Sequence, residues 1–251
     1  ALVWPRAKGG AISIGSGRSG FDMAGRSHIG IEGCAFRNFA GRTAPVGMAV
    51  WNSAYRVAED WAITGCRIGP AALHHGGGAI WLTYVNGADV AGCAIENIQD
   101  GSGLRATAYC ANVTVRDSSV SAVGRTAIYF GGVKGGLIAG NRIDNIKGVH
   151  GNGISTYLAN VDVVVSNNAV TDTIRPVTLE GDGTGTRNDL LIQGNSLIGD
   201  ASCEYAITDW GGKMSGLMIR RNILTGKKGG ARLHAQATRV VFTDNSGPEP
   251  M

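Results

Sequence analysis

No stretch of this 251-residue chain approaches the roughly 20 consecutive apolar residues of a membrane span. Helix-length amphipathic segments are missing as well. Short runs such as Val161-Asp162-Val163-Val164-Val165 and Leu190-Leu191-Ile192 alternate instead with Gly, Asn and Asp, which reads as many short strands. Charge is scarce: the formal net charge of +4 is unclustered apart from Arg220-Arg221 and Lys227-Lys228, too little for a nucleic-acid footprint. A signal peptide is not recognisable. The chain begins at Ala1 rather than Met, and its first full strand is expected only near His28, features that read as a processed product or a piece of a longer chain. The five cysteines are an odd number and cannot all pair within one chain.

Glycine is abundant, at 40 residues without a triplet period, and 43% of residues are hydrophobic. That supports one large core, and nothing reads as a linker, so residues 1–251 are read as a single domain. A repeat organises it. Cys34, Cys66, Cys93, Ser118, Asn141, Asn168, Asn195, Asn222 and Asn245 recur at intervals of 23 to 32 residues. Three places before each stands Ile, Val or Phe, and two places after each of the first eight stands Phe, Ile, Val or Leu. Repetition at this period marks a solenoid, in which each repeat buries its apolar face only by stacking on the next. Asn at the bend is expected to take the left-handed conformation and to bond the equivalent amide one rung away. Cys at the first three rungs is expected as reduced, buried thiols, because stacked Cβ atoms about 4.8 Å apart lie beyond disulfide reach.

A further strand follows in each repeat, as in Met48–Trp51, Ile80–Thr83, Leu104–Thr107, Ile128–Gly131, Ile154–Tyr157, Val177–Glu180, Ile207–Trp210 and Ala231–His234. Three strands per turn and an Asn ladder resemble the right-handed parallel β-helix of the pectate-lyase-like superfamily, over roughly residues 12 to 246. The expectation is an all-β, single-stranded β-helix of eight to nine rungs. The resemblance implies that the strand beginning at Ile80 belongs to the first sheet, whose outer face carries a substrate groove. It also implies an extracellular or cell-surface setting.

Two outward stripes follow from the period-2 alternation. On the second sheet Leu137, Val164, Leu191, Met218 and Val241 stack into an apolar patch, covered either by a loop or tail of the same chain or by a contact with a subunit or with a missing part of the chain. On the first sheet one column reads Ala49, Trp81, Arg105, Tyr129, Ser155, Thr178, Thr208, Arg232. Its neighbour reads Trp51, Thr83, Thr107, Gly131, Tyr157, Glu180, Trp210, His234. Aromatic platforms beside polar groups suit sugar rings, unless longer loops bury them. Trp51, Trp81, Arg105, Tyr129, Trp210, Arg232 and His234 are therefore the candidate binding residues for an extended polysaccharide.

Two chemistries fit such a face. β-Elimination needs a base and cations to neutralise a carboxylate: Tyr129, Tyr157, His150 and His234 are acid or base candidates, and Arg105 and Arg232 neutralisers. His150 stands out because Gly148, Gly151 and Gly153 allow close approach. Hydrolysis needs two carboxyls across the bond, for which Glu180, Asp182, Glu204 and Asp209 are available. Asp209 falls in an inward column and is expected to be partly buried with a raised pKa. The superfamily's calcium-binding Asp clusters and the Asp-Pro-His-Asp motif of alginate epimerases are not recognisable, which weakens a calcium-dependent lyase or an epimerase. No cofactor is indicated, and a divalent cation such as calcium stays open. The rival to a polysaccharide lyase or hydrolase is a non-catalytic stalk, adhesin or tailspike-like module, since this scaffold hosts both.

Overall fold

A computed structural model describes residues 6–13, 21–22, 25–38, 40–41, 50–51, 56–73, 77–180, 186–234 and 236–247. Every strand pairing in it is parallel and links one turn to the next. The result is a β-solenoid with three strand positions per turn. Among the described residues the first sheet contains nine strands, including Gly78–Thr83, Ser102–Thr107, Thr126–Gly131, Asn152–Tyr157, Arg175–Glu180 and Tyr205–Gly211. The second runs through Ala58–Thr64, Val85–Ala91, Ala111–Arg116, Lys134–Ala139, Val161–Ser166, Thr186–Gln193, Lys213–Arg220 and Ala237–Thr243. Shorter strands such as Ala94–Gln99 and Arg142–Ile146 form the third. All three strands are separately formed in about seven turns, fewer than the eight to nine expected. At the start, Ile29–Arg37 runs as one strand through the bend at Cys34, and the last turn closes after Ala237–Thr243 with a single bridge, Ile223 to Ser246. A strand ahead of His28, Arg6–Ser13, was not foreseen; it pairs with Ile29–Arg37 and covers its edge.

The two apolar positions flanking the ladder fill the core. Ile31, Ile63, Val90, Val115, Ile138, Val165, Ile192 and Ile219 are buried, as are Phe36, Ile68, Ile95, Val120, Ile143, Val170, Leu197 and Leu224. Between them runs the ladder. The Oδ1 of Asn168 accepts from both the backbone N and the Nδ2 of Asn141, and the Nδ2 of Asn168 donates to the carbonyl of Ile138. Asn195, Asn222 and Asn245 repeat the pattern. Each buried amide thus satisfies three partners in an otherwise dry interior.

The ladder residues themselves are not left-handed, contrary to the expectation. The residue before each one is: Gly33, Gly65, Gly92, Asp117, Gly140, Asn167, Gly194, Arg221 and Asp244 have φ between 51° and 66°. Sharp turning falls on that residue, most often a glycine. The ladder side chain is thereby free to point into the core. All five cysteines are free and buried, as the spacing argument required.

Candidate active site on the first sheet

Six-residue strands position the site, each starting two residues earlier than the sequence pattern suggested. In register along one outward column stand Trp51, Trp81, Arg105, Tyr129, Ser155, Thr178, Thr208 and Arg232. In backbone register Trp51 opposes Trp81 rather than Thr83, two residues from the expected pairing. The long first repeat carries extra residues that counting from the ladder could not place. The side chain of Trp51 and all of Asp182 lie outside the described residues.

The column opens on a layered stack. The Arg105 guanidinium lies 5.4 Å from the Trp81 ring and 4.3 Å from that of Tyr129, and Tyr129 is followed by Tyr157 at 5.9 Å between centroids. Trp81 Nε1 donates to Thr107 Oγ1 at 2.8 Å, which fixes the indole's orientation. Burial pushes the Tyr129 hydroxyl's pKa up, against the pull of the Arg105 charge. The stack ends at Ser155 and Thr178, small outward residues that are both buried.

There a cleft of roughly 510 Å³ begins, lined by Val149, His150, Tyr157, Arg175, Glu180 and Trp210. Tyr157 and Glu180 are direct register partners on adjacent strands. Burial raises the Glu180 carboxyl above the ordinary value, opposed by the charges of Arg175, Arg125 and Arg187. Arg175 donates from Nη1 to the carbonyl of His150 at 2.6 Å, and its guanidinium lies 5.1 Å from the Trp210 ring. Trp210 is 50% exposed. Arg175 and Arg125 were missed by sequence reasoning; the clue was the strand's true start, which makes Arg175 its first residue.

A second cleft of roughly 590 Å³ adjoins the first and shares Val149 and His150 with it. Val149, 87% exposed, stands between the two. The glycines around His150 serve close turn-on-turn packing. A Cβ on Gly148 would meet the Gly124 carbonyl at 2.0 Å, and one on Gly151 the Ile174 side chain at 2.5 Å.

Asp209 does point inward, but it is not an isolated buried acid. Its Oδ1 accepts from Arg187 Nη2 at 3.1 Å and from Gly211 N at 3.0 Å, and its Oδ2 accepts from His234 N at 3.1 Å. That engagement takes Asp209 out of the cleft. Glu180 pairs with Gly211 instead of Trp210, because the register shifts there and Trp210 is an extra residue. His234 lies past the last first-sheet strand, Gly229–Arg232, and Arg232 is exposed at that edge. Among the described residues no three His, Cys, Asp or Glu side chains group as metal ligands. Nor is any described helix long and apolar enough to cross a membrane.

The second-sheet stripe is real as a column: Leu137, Val164, Leu191, Met218 and Val241 are successive register partners. It is less open than expected. Only Val241 is exposed, because each of the others is half-covered by its neighbours.

Comparison with known proteins gives the same architecture. No curated protein sequence matches. The periplasmic alginate epimerase AlgG superposes with a TM-score of 0.69 at 10% identity, covering 86% of this chain and 50% of that one. This chain thus spans about half the length of the epimerase. An endo-xylogalacturonan hydrolase from Aspergillus tubingensis gives 0.59 at 9% identity, over 95% of this chain and 83% of the hydrolase. PfbA, a surface adhesin of Streptococcus pneumoniae, gives 0.56 at 11% identity, over 87% and 68%. Carbohydrate-processing enzymes and an adhesin therefore share this fold, and at such identities the likeness concerns the fold alone. Residues 62–246 match the family described as the right handed beta helix region, and the chain belongs to that family.

Proposed function

We propose that the protein binds an extended acidic polysaccharide along the outer face of the first sheet and cleaves it by β-elimination in the Glu180 cleft. One observation carries this reading: Glu180, Tyr157, Arg175 and Trp210 line one cleft, with the carboxyl's proton affinity raised by burial. Arg105, Arg125, Arg175 and Arg232 lie on or beside this face, against the carboxyls of Glu180 and of Glu204, which Lys228 pairs, so the field there favours an anionic chain. Trp210 and the Trp81–Arg105–Tyr129 stack offer the flat surfaces that sugar C–H faces prefer.

In the proposed reaction Arg175 neutralises a uronate carboxylate, which acidifies the neighbouring C–H. The Glu180 carboxylate takes that proton as the C–O bond to the leaving sugar breaks and a C=C bond forms. The Tyr157 hydroxyl protonates the departing oxygen. A base whose pKa sits above the usual carboxylate value is better matched to this abstraction than an ordinary one. Hydrolysis by paired carboxyls gains less support, since Asp209 is committed to Arg187 and Glu180 is the one carboxyl among the described cleft residues.

Incubation with polygalacturonate, alginate and neutral glycans tests the reading. Elimination raises both reducing ends and ultraviolet absorbance of the unsaturated product. Reducing ends alone would indicate hydrolysis. Binding that Trp81→Ala abolishes, without either signal, would favour a non-catalytic adhesin-like module. For the second-sheet stripe, self-association is proposed; a one-chain mass in solution, with Leu191→Glu leaving solubility unchanged, would remove it.

A further inference from the structure

Among the described ion pairs, Arg187–Asp209 is the one with both side chains fully buried, at 1% and 0% exposure. It sits one residue from Trp210. Arg187 Nη2 donates not only to Asp209 but also to the carbonyl of Gly211 at 2.8 Å, and Asp209 Oδ1 accepts from the amide of the same Gly211. The carboxylate's other oxygen holds the His234 amide of the following turn. Both peptide groups of Gly211 are therefore gripped from inside the solenoid. Gly211 and Gly212 have φ of 116° and 86°, conformations that only glycine adopts without strain.

This grip coincides with the register shift. Leu179 opposes Asp209, whereas Glu180 opposes Gly211, so the chain accommodates Trp210 as an additional residue between two fixed points. Without the shift, Trp210 would stand opposite Glu180 in the Tyr157 column.

Stability does not call for the pair. A buried ion pair roughly breaks even against apolar residues of similar size. Arg187 Nε and Nη1 have no partner among the described residues, which adds to its cost. The next turn places Met214 opposite Arg187, fully buried, and the preceding turn places Leu179 opposite Asp209. Apolar side chains thus serve equivalent places on either side. What the pair supplies is the geometry of the bulge.

We propose that Arg187 and Asp209 are positioning residues: from inside the solenoid they hold the bulge that presents the Trp210 ring to the Glu180 cleft, against Arg175. The benefit to ligand rests on the polysaccharide reading above; the positioning itself does not.

The test replaces the pair by what its neighbours carry, Arg187→Met with Asp209→Leu. A cooperative melt and an unchanged far-ultraviolet spectrum establish folding. Acrylamide quenching is then measured for wild type and variant, each against its own Trp210→Phe counterpart, so that the difference reports Trp210 alone. The Trp210 component is expected to change its quenching constant in the variant. Binding of polygalacturonate and alginate is expected to weaken about 10-fold or more, and Trp210→Ala is expected to add nothing in the variant background, since coupled residues are not additive. Unchanged Trp210 quenching, or additive losses, would overturn the proposal. Should the double variant fail to fold, Arg187→Lys is used, whose single point-like ammonium cannot reproduce the fork to Asp209 and Gly211. The same shift in Trp210 quenching supports the proposal, and no shift overturns it. If wild type binds neither polymer, the polysaccharide reading fails while the quenching comparison still decides the positioning.

Discussion

Asn168 Oδ1 receives two hydrogen bonds from Asn141, one from the backbone N and one from Nδ2, each at 3.0 Å. Asn168 Nδ2 returns a third bond to the carbonyl of Ile138. Removing that side chain takes the acceptor from the buried Asn141 amide and one of two acceptors from Asn141 Nδ2, and takes a donor from the Ile138 carbonyl and from Asn195 Oδ1. Asn168→Ala is expected to cost about 3 kcal/mol or more, since each orphaned buried group costs roughly 1–3 kcal/mol. Denaturant melts of the variant check this. A loss below about 1 kcal/mol would mean that water enters and replaces the ladder.

Cys34, Cys66 and Cys93 continue the same line with sulfur donors. Cys66 Sγ donates to the carbonyl of Ile31 and Cys93 Sγ to that of Ile63. Burial pushes the thiols of Cys110 and Cys203 up to about 11. Buried thiols at such values are poor nucleophiles. The neighbouring Cys93 thiol lowers Cys66 to about 7, but Cys66 is fully buried, so burial is expected to keep Ellman's reagent from titrating any of the five rapidly in the native protein, with all five reacting after denaturation. Fast native reaction of any one would contradict its burial.

The Trp81–Arg105–Tyr129 stack makes a separate prediction. A partly desolvated cation between two aromatic rings contributes about 1–2 kcal/mol. Arg105→Met, which keeps the length and loses the charge, is expected to lower stability by about that amount. It should also reduce the salt sensitivity of acidic polysaccharide binding, because one cation has left the face. Binding unaffected in both strength and salt dependence would place the ligand elsewhere.

The register of this stack shows how far the sequence could be read. Ile80, Leu104, Ile128, Ile154, Val177, Ile207 and Ala231 align in the structure as the repeat pattern predicts, because a period-2 strand with one buried face tolerates no single-residue slip. Trp51 and Trp210 escaped that logic. A shift of two leaves no trace in the alternation, and a bulge is set by tertiary bonds from Arg187 and Asp209. The left-handed position was legible in principle, as the Gly, Asn and Asp preceding the ladder record it. Arg175 was hidden because strand starts are not marked by hydrophobicity.

Glu180 also carries a stability signature. Its folded-state pKa is raised, chiefly by burial, so the folded state holds the proton more tightly than the unfolded chain. Stability therefore falls as pH rises from the ordinary carboxylate value through the raised one. Glu180→Gln removes this penalty. Melting temperatures measured across the acid-to-neutral range are expected to show the variant gaining on wild type as pH rises and converging with it at low pH. A variant less stable at neutral pH would show that the charged form is the one the fold favours.

The most direct test of the account separates binding from turnover at Glu180. With a polyuronate that the wild-type protein depolymerises, Glu180→Gln is expected to bind within a few-fold of wild type. Its production of unsaturated ends is expected to fall by about 10² to 10⁴, the usual contribution of a positioned acid or base. Full turnover by Glu180→Gln would contradict the assignment of Glu180 as the base and with it the central claim.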